Sequence, residues 1–370
     1  MNKIFEKGGK LAFLHSTVDA FETFLRVPDT VTRKGAHLRD AIDLKRIMII
    51  AVISAVPAAL FGMWNVGYQH GLAIGDGRLQ ILANFWYGFL KVLPLYVVSY
   101  GVGLAIEFAS SQIRNEEVNE GYLMSGFLIP LIVPVDVPLW MLALAVAFAV
   151  IFGKEVFGGT GMNIWNPALL ARVFLFFSYP TRMSGSEGWI SLKAGEQLVD
   201  GFTGATPLAL EGSAQYGTGF WDLFIGLVPG SVGETSVIAI LLGAFILLWT
   251  GIASWKVMLS SVLGALFVGL LGDLAGISAV PCWEQLLMGG FAFGTVFMAT
   301  DPVTSAQTEP GKWIYGFLIG ALCIVVRLFN PGYAEGMMLA ILLMNTAAPL
   351  IDHCVVSAHV SRRNHKILAA

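Results

Sequence analysis

Charged residues are scarce in this chain of 370 amino acids, which separates it from soluble proteins. Only 13% of its residues are Asp, Glu, Lys or Arg, whereas soluble domains carry about 25%. Hydrophobic residues make up 56%, the mean hydropathy is +0.72, and the 42 glycines and 25 phenylalanines are typical of packed transmembrane helices. The composition therefore predicts an integral membrane protein and excludes a soluble enzyme, a disordered chain and a disulfide scaffold.

The residues that many metal and nucleotide sites need are also few or badly spaced. The three cysteines, Cys282, Cys323 and Cys354, are far apart, so this chain alone assembles neither an iron–sulfur cluster nor a zinc site. No two of the six histidines have metal-ligand spacing, and no G-x-G-x-x-G motif follows a strand. A net charge of −3 gives no basic surface for nucleic acid. We expect no metal site, no Rossmann fold for NADH and no nucleic-acid partner.

Ten apolar segments are long enough, or nearly so, to cross a membrane as helices. The third to fifth are short and interrupted by proline and glycine, which indicates broken helices around a cavity enclosed by protein. The segments are residues 47–64, 86–108, 122–133, 138–152, 167–179, 235–250, 255–271, 284–299, 313–329 and 335–351.

The distribution of basic residues predicts the orientation of these helices. Nine of the 22 Lys and Arg residues precede the first segment, and ten spans place 16 of them on the cytoplasmic side. We therefore expect a multi-pass protein with both termini in the cytoplasm. Its parts are a cytoplasmic arm of residues 1–45, a transmembrane domain of residues 46–352 with an outward loop of residues 180–234, and a cytoplasmic tail of residues 353–370.

A sequence interval of 40 residues that occurs twice, which we call the 40-residue echo, suggests that the ten helices form two repeats. Gly126 precedes Asn166 by 40 residues, and Gly290 precedes Asn330 by the same interval. Five helices in each half would invert the second repeat relative to the first, with a binding site between them. Coincidence in a chain rich in glycine and proline is the alternative.

The most specific motif is DGFTGAT, residues 200–206, in the long outward loop. The hydroxyl of Thr206 follows Gly204 and Ala205, whose small size gives a modifying enzyme access. Thr206 is therefore a candidate for covalent modification. An ordinary turn rich in glycine and threonine is the alternative.

This motif resembles the flavinylation motif of a family of membrane proteins, which comprises the B subunit of the Na⁺-translocating NADH:quinone reductase and the D subunit of its Rnf relatives. Residues 37–48, 154–161, 166–169 and 298–302 extend the resemblance over nearly the whole chain, and the long N-terminal arm favours the B branch. The resemblance implies that a flavin transferase attaches FMN to Thr206 through a phosphoester. The FMN-binding residues it implies are Asp200, Thr203, Gly204, Ala205, Arg172 and Tyr179, with Phe177 as a second stacking candidate.

A second glycine-rich segment, residues 158–167 (GGTGMNIWNP), offers amide side chains beside flexible backbone. The resemblance implies that noncovalent riboflavin binds here, on the cytoplasmic half of the protein. The residues assigned to it are Gly158, Gly159, Thr160, Gly161, Asn163 and Asn166. Asn before Pro is also a standard helix start, and that interpretation alone explains Asn166 and Pro167.

Carboxylates within membrane segments are costly, so a functional role is the first hypothesis for them. Their oxygen atoms suit a hard cation such as Na⁺. We predict an ion pathway through Glu107, Asp301, Glu335 and Asp352, with interfacial or helix-capping roles as the alternative. The resemblance also implies a quinone site, for which Gly103 is the candidate because a ring can approach the backbone there.

The resemblance implies a component of a bacterial inner-membrane complex that passes electrons from FMN through riboflavin to quinone, coupled to Na⁺ export. The electrons would come from partner proteins of that complex, including an NADH dehydrogenase with flavin and an iron–sulfur cluster and a second FMN-bearing protein. Two alternatives stay open. One is the Rnf-type D subunit of a ferredoxin:NAD oxidoreductase, and the other is a flavin-free solute channel on the same inverted-repeat fold.

Overall fold

The computed structural model describes residues 34–36, 44–76, 80–114, 121–183, 188–192, 204–210, 219–278, 280–330 and 335–368. Throughout this part of the chain the regular structure is helical, and no strand occurs in it. The helices, in chain order, are α1 (Leu44–Ala73), α2 (Ile81–Arg114), α3 (Tyr122–Ile132), α4 (Leu139–Gly153), α5 (Pro167–Ser178), α6 (Pro180–Met183), α7 (Phe220–Ile225), α8 (Val237–Trp249), α9 (Trp255–Leu274), α10 (Cys282–Leu287), α11 (Phe291–Phe293), α12 (Glu309–Phe329) and α13 (Met337–Leu368).

Among the described helices, six are long and apolar enough to cross a membrane, namely α1, α2, α4, α9, α12 and α13. The helices α3, α5 and α8 are apolar but shorter. Large side chains such as Leu82, Phe245 and Trp249 lie exposed on the outer surface of the bundle, as expected for a surface that faces lipid. The prediction of an all-helical membrane protein is confirmed.

Each of the ten predicted segments lies on helix, but the one clear interruption is not where the sequence predicted it. The third to fifth segments form the short continuous helices α3, α4 and α5. The eighth is broken instead: α10 ends at Leu287, α11 begins at Phe291, and a π-helical turn, Gly294–Met298, follows directly. The glycine pair between α10 and α11, and not proline, marks the interruption.

Pro130 lies inside α3 without breaking it. A proline has no N–H, so the carbonyl four residues earlier loses its helical hydrogen bond. Here that carbonyl belongs to Gly126, and the hydroxyl of Ser99 on α2 donates to it at 2.9 Å. A side chain from a neighbouring helix thus satisfies the group that proline leaves free, as membrane burial requires.

The residues of the 40-residue echo occupy unlike positions in the fold. Gly126 lies inside α3, whereas Gly290 directly precedes α11. Asn166 caps the start of α5, whereas Asn330 follows the end of α12. These local differences neither establish nor exclude two repeats, and the inverted repeat stays a prediction.

Glycine permits close packing of α9 against α12, one of the main helix contacts in the bundle. Gly316 and Gly320 lie four residues apart on α12. A Cβ at Gly320 would overlap the carbonyl oxygen of Ser261, and one at Gly264 would overlap that of Phe317. This is the small-xxx-small packing by which membrane helices approach backbone to backbone.

We expect Gly320→Ala to destabilise the protein by about 1–3 kcal/mol, because the methyl group forces α9 and α12 apart. The matched control is Gly101→Ala on α2, where a Cβ meets no atom within 4 Å. That change removes the helical cost of glycine and is expected to be neutral or to stabilise by up to about 1 kcal/mol. Thermal unfolding of both purified variants in the same detergent tests this. Equal unfolding midpoints would contradict the packing argument.

Candidate functional site

A cavity of about 490 Å³ lies beside Thr206, and we call it the Thr206 cavity. Its volume falls in the range of about 300–1,000 Å³ that is usual for small-molecule sites. It brings together residues from segments far apart in the chain. The lining includes Arg172, Phe176, Thr206, Leu208, Glu234, Thr235, Gln285, Met288, Arg327 and Glu335.

The described part of the DGFTGAT motif places Thr206 at this cavity. Gly204 and Ala205 are buried, so their small size serves packing, whereas Thr206 is half-buried. Its hydroxyl accepts a hydrogen bond from the N–H of Ala209 at 3.3 Å, which fixes a turn at the cavity wall. Asp200 and Thr203 lie outside the described residues, and their assignment stays a prediction.

Arg172, on α5, lines the Thr206 cavity but already has anionic partners. Its guanidinium forms ion pairs with both Glu234 and Glu335, and all three side chains are largely buried. A Cβ at Gly290 would lie 2.6 Å from a Glu234 oxygen and 2.9 Å from a Glu335 oxygen, so the two carboxylates leave room only for glycine. Arg172 therefore acts within the protein as the partner of two carboxylates. Its charge is not free to oppose a bound anion.

The predicted stacking residues are not at the cavity. Tyr179 is absent from its lining and packs edge-on against Trp140, with ring centroids 5.6 Å apart. Phe177 is 68% exposed. The aromatic side chains that do line the cavity are Trp189 and Phe176, and Phe176 lies four residues after Arg172 on the same helix face.

A second, smaller cavity of about 70 Å³ lies at the start of α5, and we call it the Asn166 cavity. Its lining contains Lys154, Thr160, Asn163, Asn166 and Asp301. These include three of the residues assigned to riboflavin. A volume of this size holds about two water molecules. It does not enclose a three-ring flavin.

Both the oxygen and the nitrogen of the Asn166 side chain have partners within the protein. Its oxygen accepts from the N–H groups of Ala168 and Leu169, at 3.0 and 3.4 Å, as the cap of α5. Its amide nitrogen donates to Asp301 at 3.2 Å. The capping interpretation of Asn166 is therefore confirmed.

Local structure explains the residue type at most of the other positions assigned to riboflavin. Gly158, Gly159 and Gly161 have φ values of +116°, +96° and +91°, a backbone conformation that glycine alone adopts without strain. The amide of Asn163 donates to the Trp165 carbonyl at 3.1 Å. The buried hydroxyl of Thr160, in contrast, has no partner among the described residues.

The four carboxylates of the predicted ion pathway do not form one cluster. Glu335 belongs to the Thr206 cavity, whereas Asp301 lines the Asn166 cavity. Glu107 forms a buried ion pair with Lys154, and Asp352 accepts from the N–H groups of Gln307 and Thr308 in the turn before α12. Each carboxylate therefore has a partner within the protein.

Asp301 is held by three donors at the Asn166 cavity. The N–H of Val303 lies 3.1 Å away, and the hydroxyl of Thr304 and the amide of Asn166 lie 3.2 Å away. Glu107 differs, because its second oxygen is buried without a hydrogen bond from the described residues. Of the four carboxylates, Glu107 and Asp301 lie next to the Asn166 cavity, Glu107 through its partner Lys154.

Gly103 does not face an open space. A Cβ there would overlap the ring of Tyr122, which is fully buried between α2 and α3. The hydroxyl of Tyr122 donates to the carbonyl of Ser99 at 3.0 Å. The close approach to the Gly103 backbone is therefore made by a protein ring, and a quinone at this position stays a prediction.

Sequence reasoning missed several residues of the Thr206 cavity. Arg327 lies inside the predicted segment 313–329, and Glu234 directly precedes segment 235–250. The rule that drew attention to the other intramembrane charges applies equally to these two. Thr235 and Gln285 carry no charge, and no sequence signal singles them out.

Comparison with known proteins identifies relatives along almost the whole chain. A model of the NQR2, RnfD, RnfE family matches residues 31–361. The B subunit of the Na(+)-translocating NADH-quinone reductase of Chromohalobacter salexigens is 43% identical, over 97% of this chain and 93% of the relative. The proteins of the same name from Ectopseudomonas mendocina and Azotobacter vinelandii are 44% and 43% identical, each over 97% of this chain and 96% of the relative.

We expect Arg172→Gln to lower the free energy of unfolding by about 3–5 kcal/mol, because it leaves two buried carboxylates without their cation. The double variant Arg172→Gln/Glu234→Gln is expected to recover part of this loss, since one of the stranded charges is gone. Arg182→Gln, at an exposed position outside the cavity, is the control and should change stability by less than about 0.5 kcal/mol. Denaturant or thermal unfolding in detergent measures all three. If Arg172→Gln is as stable as Arg182→Gln, the buried ion pairs do not support the fold.

Proposed function

The chain belongs to the NQR2, RnfD, RnfE family, and we therefore propose that it is the B subunit of a Na⁺-translocating NADH:quinone reductase, with FMN covalently bound to Thr206. One observation carries this proposal: the last threonine of the DGFTGAT motif is half-buried at a cavity of about 490 Å³, large enough for a flavin. The names of the relatives favour the B branch of the family over the Rnf-type D branch.

The polar groups of the Thr206 cavity suit a flavin ring. The hydroxyl of Thr235 and the side-chain oxygen of Gln285 are buried at this cavity and have no hydrogen-bond partner among the described residues. Buried polar atoms in native proteins nearly always have partners, so a ligand with N–H and carbonyl groups is a fitting occupant. FMN, when bound, supplies electron transfer, while this chain contributes position and electrostatics. A covalent link keeps the flavin at an effective concentration of about 1 mM or more.

The lining of the two cavities supports the proposed membrane topology. The Thr206 cavity gathers residues from the later turns of α5 and α12 and from the starts of α8 and α13. The Asn166 cavity gathers the starts of α1, α3 and α5 and the end of α8. Ten alternating spans would put the first set on the outer side and the second on the cytoplasmic side. We accordingly propose ten spans in a bacterial inner membrane, with the flavin of Thr206 on the outer side.

FMN held at Thr206 would supply electron transfer between a partner flavoprotein and a quinone near the cytoplasmic arm, and in this proposal that transfer is coupled to Na⁺ export. The Asn166 cavity offers the unpartnered hydroxyl of Thr160, but its volume of about 70 Å³ does not fit riboflavin. The proposal therefore includes no electron transfer through the Asn166 cavity. The riboflavin, quinone and ion-pathway residues stay predictions from the sequence.

We expect Thr206→Ala to abolish covalent flavin, because it removes the only atom of that side chain that can form the phosphoester. The measurement is ultraviolet fluorescence of the denatured protein on a gel, with the mass of the peptide that carries Thr206. The variant is expressed in a host that contains the flavin transferase. Its denatured protein should show no flavin fluorescence, and the peptide should lack the mass of FMN. Thr181→Ala, at an exposed position outside the cavity, is the matched control and should retain full fluorescence.

Persistent fluorescence in the Thr206→Ala variant would place the flavin elsewhere and contradict the proposal. A wild-type protein that carries no flavin, although the transferase is present, would favour the flavin-free solute channel.

A further inference from the structure

The break between α10 and α11 exposes backbone carbonyl groups beside the Thr206 cavity. Gly289, in the break, has φ +61°, and the last carbonyls of α10 have no partners farther along a helix. Arg327 reaches across from α12 and donates to the carbonyls of Gln285 and Met288, the latter at 3.0 Å. Its Nε donates to the carbonyl of Glu335 at 3.2 Å. The guanidinium is thereby fixed in one position at the cavity wall.

The two arginines of the cavity differ in how their charge is balanced. Arg172 touches two carboxylates, whereas the hydrogen bonds of Arg327 all go to neutral carbonyl groups. Within the described residues, no carboxylate forms an ion pair with Arg327. A guanidinium has five N–H donors, and these three bonds leave two of them. Arg327 is therefore the cavity's available positive charge.

Gln285 supplies an acceptor next to this charge. Its side-chain nitrogen donates to the hydroxyl of Ser278 at 2.9 Å and to the carbonyl of Val280 at 3.2 Å, which fixes the orientation of the amide. Gln285 lines the Thr206 cavity, and its side-chain oxygen is buried without a hydrogen-bond partner among the described residues. The same residue's backbone carbonyl receives a hydrogen bond from Arg327. Arg327, with two remaining N–H donors, and Gln285, with a side-chain acceptor, are thus in contact at α10.

The pyrimidine edge of a flavin has the complementary pattern, with one N–H between two carbonyl groups. We propose that the side-chain oxygen of Gln285 accepts a hydrogen bond from this N–H and that Arg327 binds an adjacent carbonyl group. Arg327 is then the residue that stabilises the reduced flavin. The inference rests on the proposed FMN at Thr206. Uptake of two electrons from a reduced partner flavoprotein and one proton from water leaves one negative charge on that edge. The fixed guanidinium favours this charged form over the oxidised, neutral ring.

The test is a redox titration of the covalent flavin in the purified complex, followed by its visible absorbance. Arg327→Gln should weaken binding of the reduced ring relative to the oxidised ring by about tenfold, which lowers the two-electron midpoint potential by about 30 mV. Arg327→Lys keeps the charge and should retain most of the wild-type potential. Arg182→Gln, an exposed arginine outside the cavity, should leave the potential unchanged. The flavin content of each denatured protein is measured in parallel.

Gln285→Glu gives an independent readout if loss of Arg327 disturbs the helix break. The new carboxylate keeps the shape of glutamine but places a negative charge beside the same ring edge, so the potential should again fall. Unchanged potentials in both Arg327→Gln and Gln285→Glu, with FMN still attached to Thr206, would overturn the assignment of this edge alone. Absence of covalent flavin from the wild-type protein would overturn the proposed function and this inference together.

Discussion

The fold around the Thr206 cavity depends on one buried cation, Arg172, and the two carboxylates that form ion pairs with it. An unpaired charge in a protein interior within the membrane is too costly to persist, so Arg172, Glu234 and Glu335 must stay together. They come from α5, from the turn before α8 and from the segment before α13. Gly290 packs against both carboxylates and brings the helix break to the same point. One set of ion pairs thereby fixes four separate segments around the cavity.

The interruptions of the helices follow the same rule of complete pairing. Where backbone groups lose their helical partners in a membrane protein, other parts of the protein must replace them. The side chain of Ser99 donates to the backbone carbonyl that Pro130 leaves free, and Arg327 donates to a carbonyl at the end of α10. At the start of α5, the side chain of Asn166 accepts from backbone N–H groups. Each replacement comes from polar side chains that a purely apolar bundle would not need. The cavities lie at two of these three places because irregular backbone and polar groups occur there together.

The sequence predicted the helices well because membrane burial makes hydrophobic length a direct signal of a span. It also identified Thr206 as a candidate functional residue and offered a helix cap as the role of Asn166, since both follow from local motifs. It could not predict that Arg172 meets Glu234 across 62 residues, because pairing of charges over that separation depends on how helices pack. The neighbour of Gly103 could not be predicted for a related reason: a glycine indicates a close approach, and only the fold shows that Tyr122 makes it. Thr235 and Gln285 could be identified only from the structure, because each has a buried polar atom without a hydrogen-bond partner among the described residues.

Helix α5 determines how the two cavities are related. Asn166 caps its first turn at one cavity, and Arg172 binds two carboxylates at the other. Six residues separate these positions, which corresponds to about 9 Å along a helix axis. Both positions are fixed by polar contacts to the second half of the chain, Asn166 through Asp301 and Arg172 through Glu335. A displacement of α5 therefore changes polar contacts at both cavities, so the Thr206 cavity and the carboxylate of Asp301 share one rigid connection.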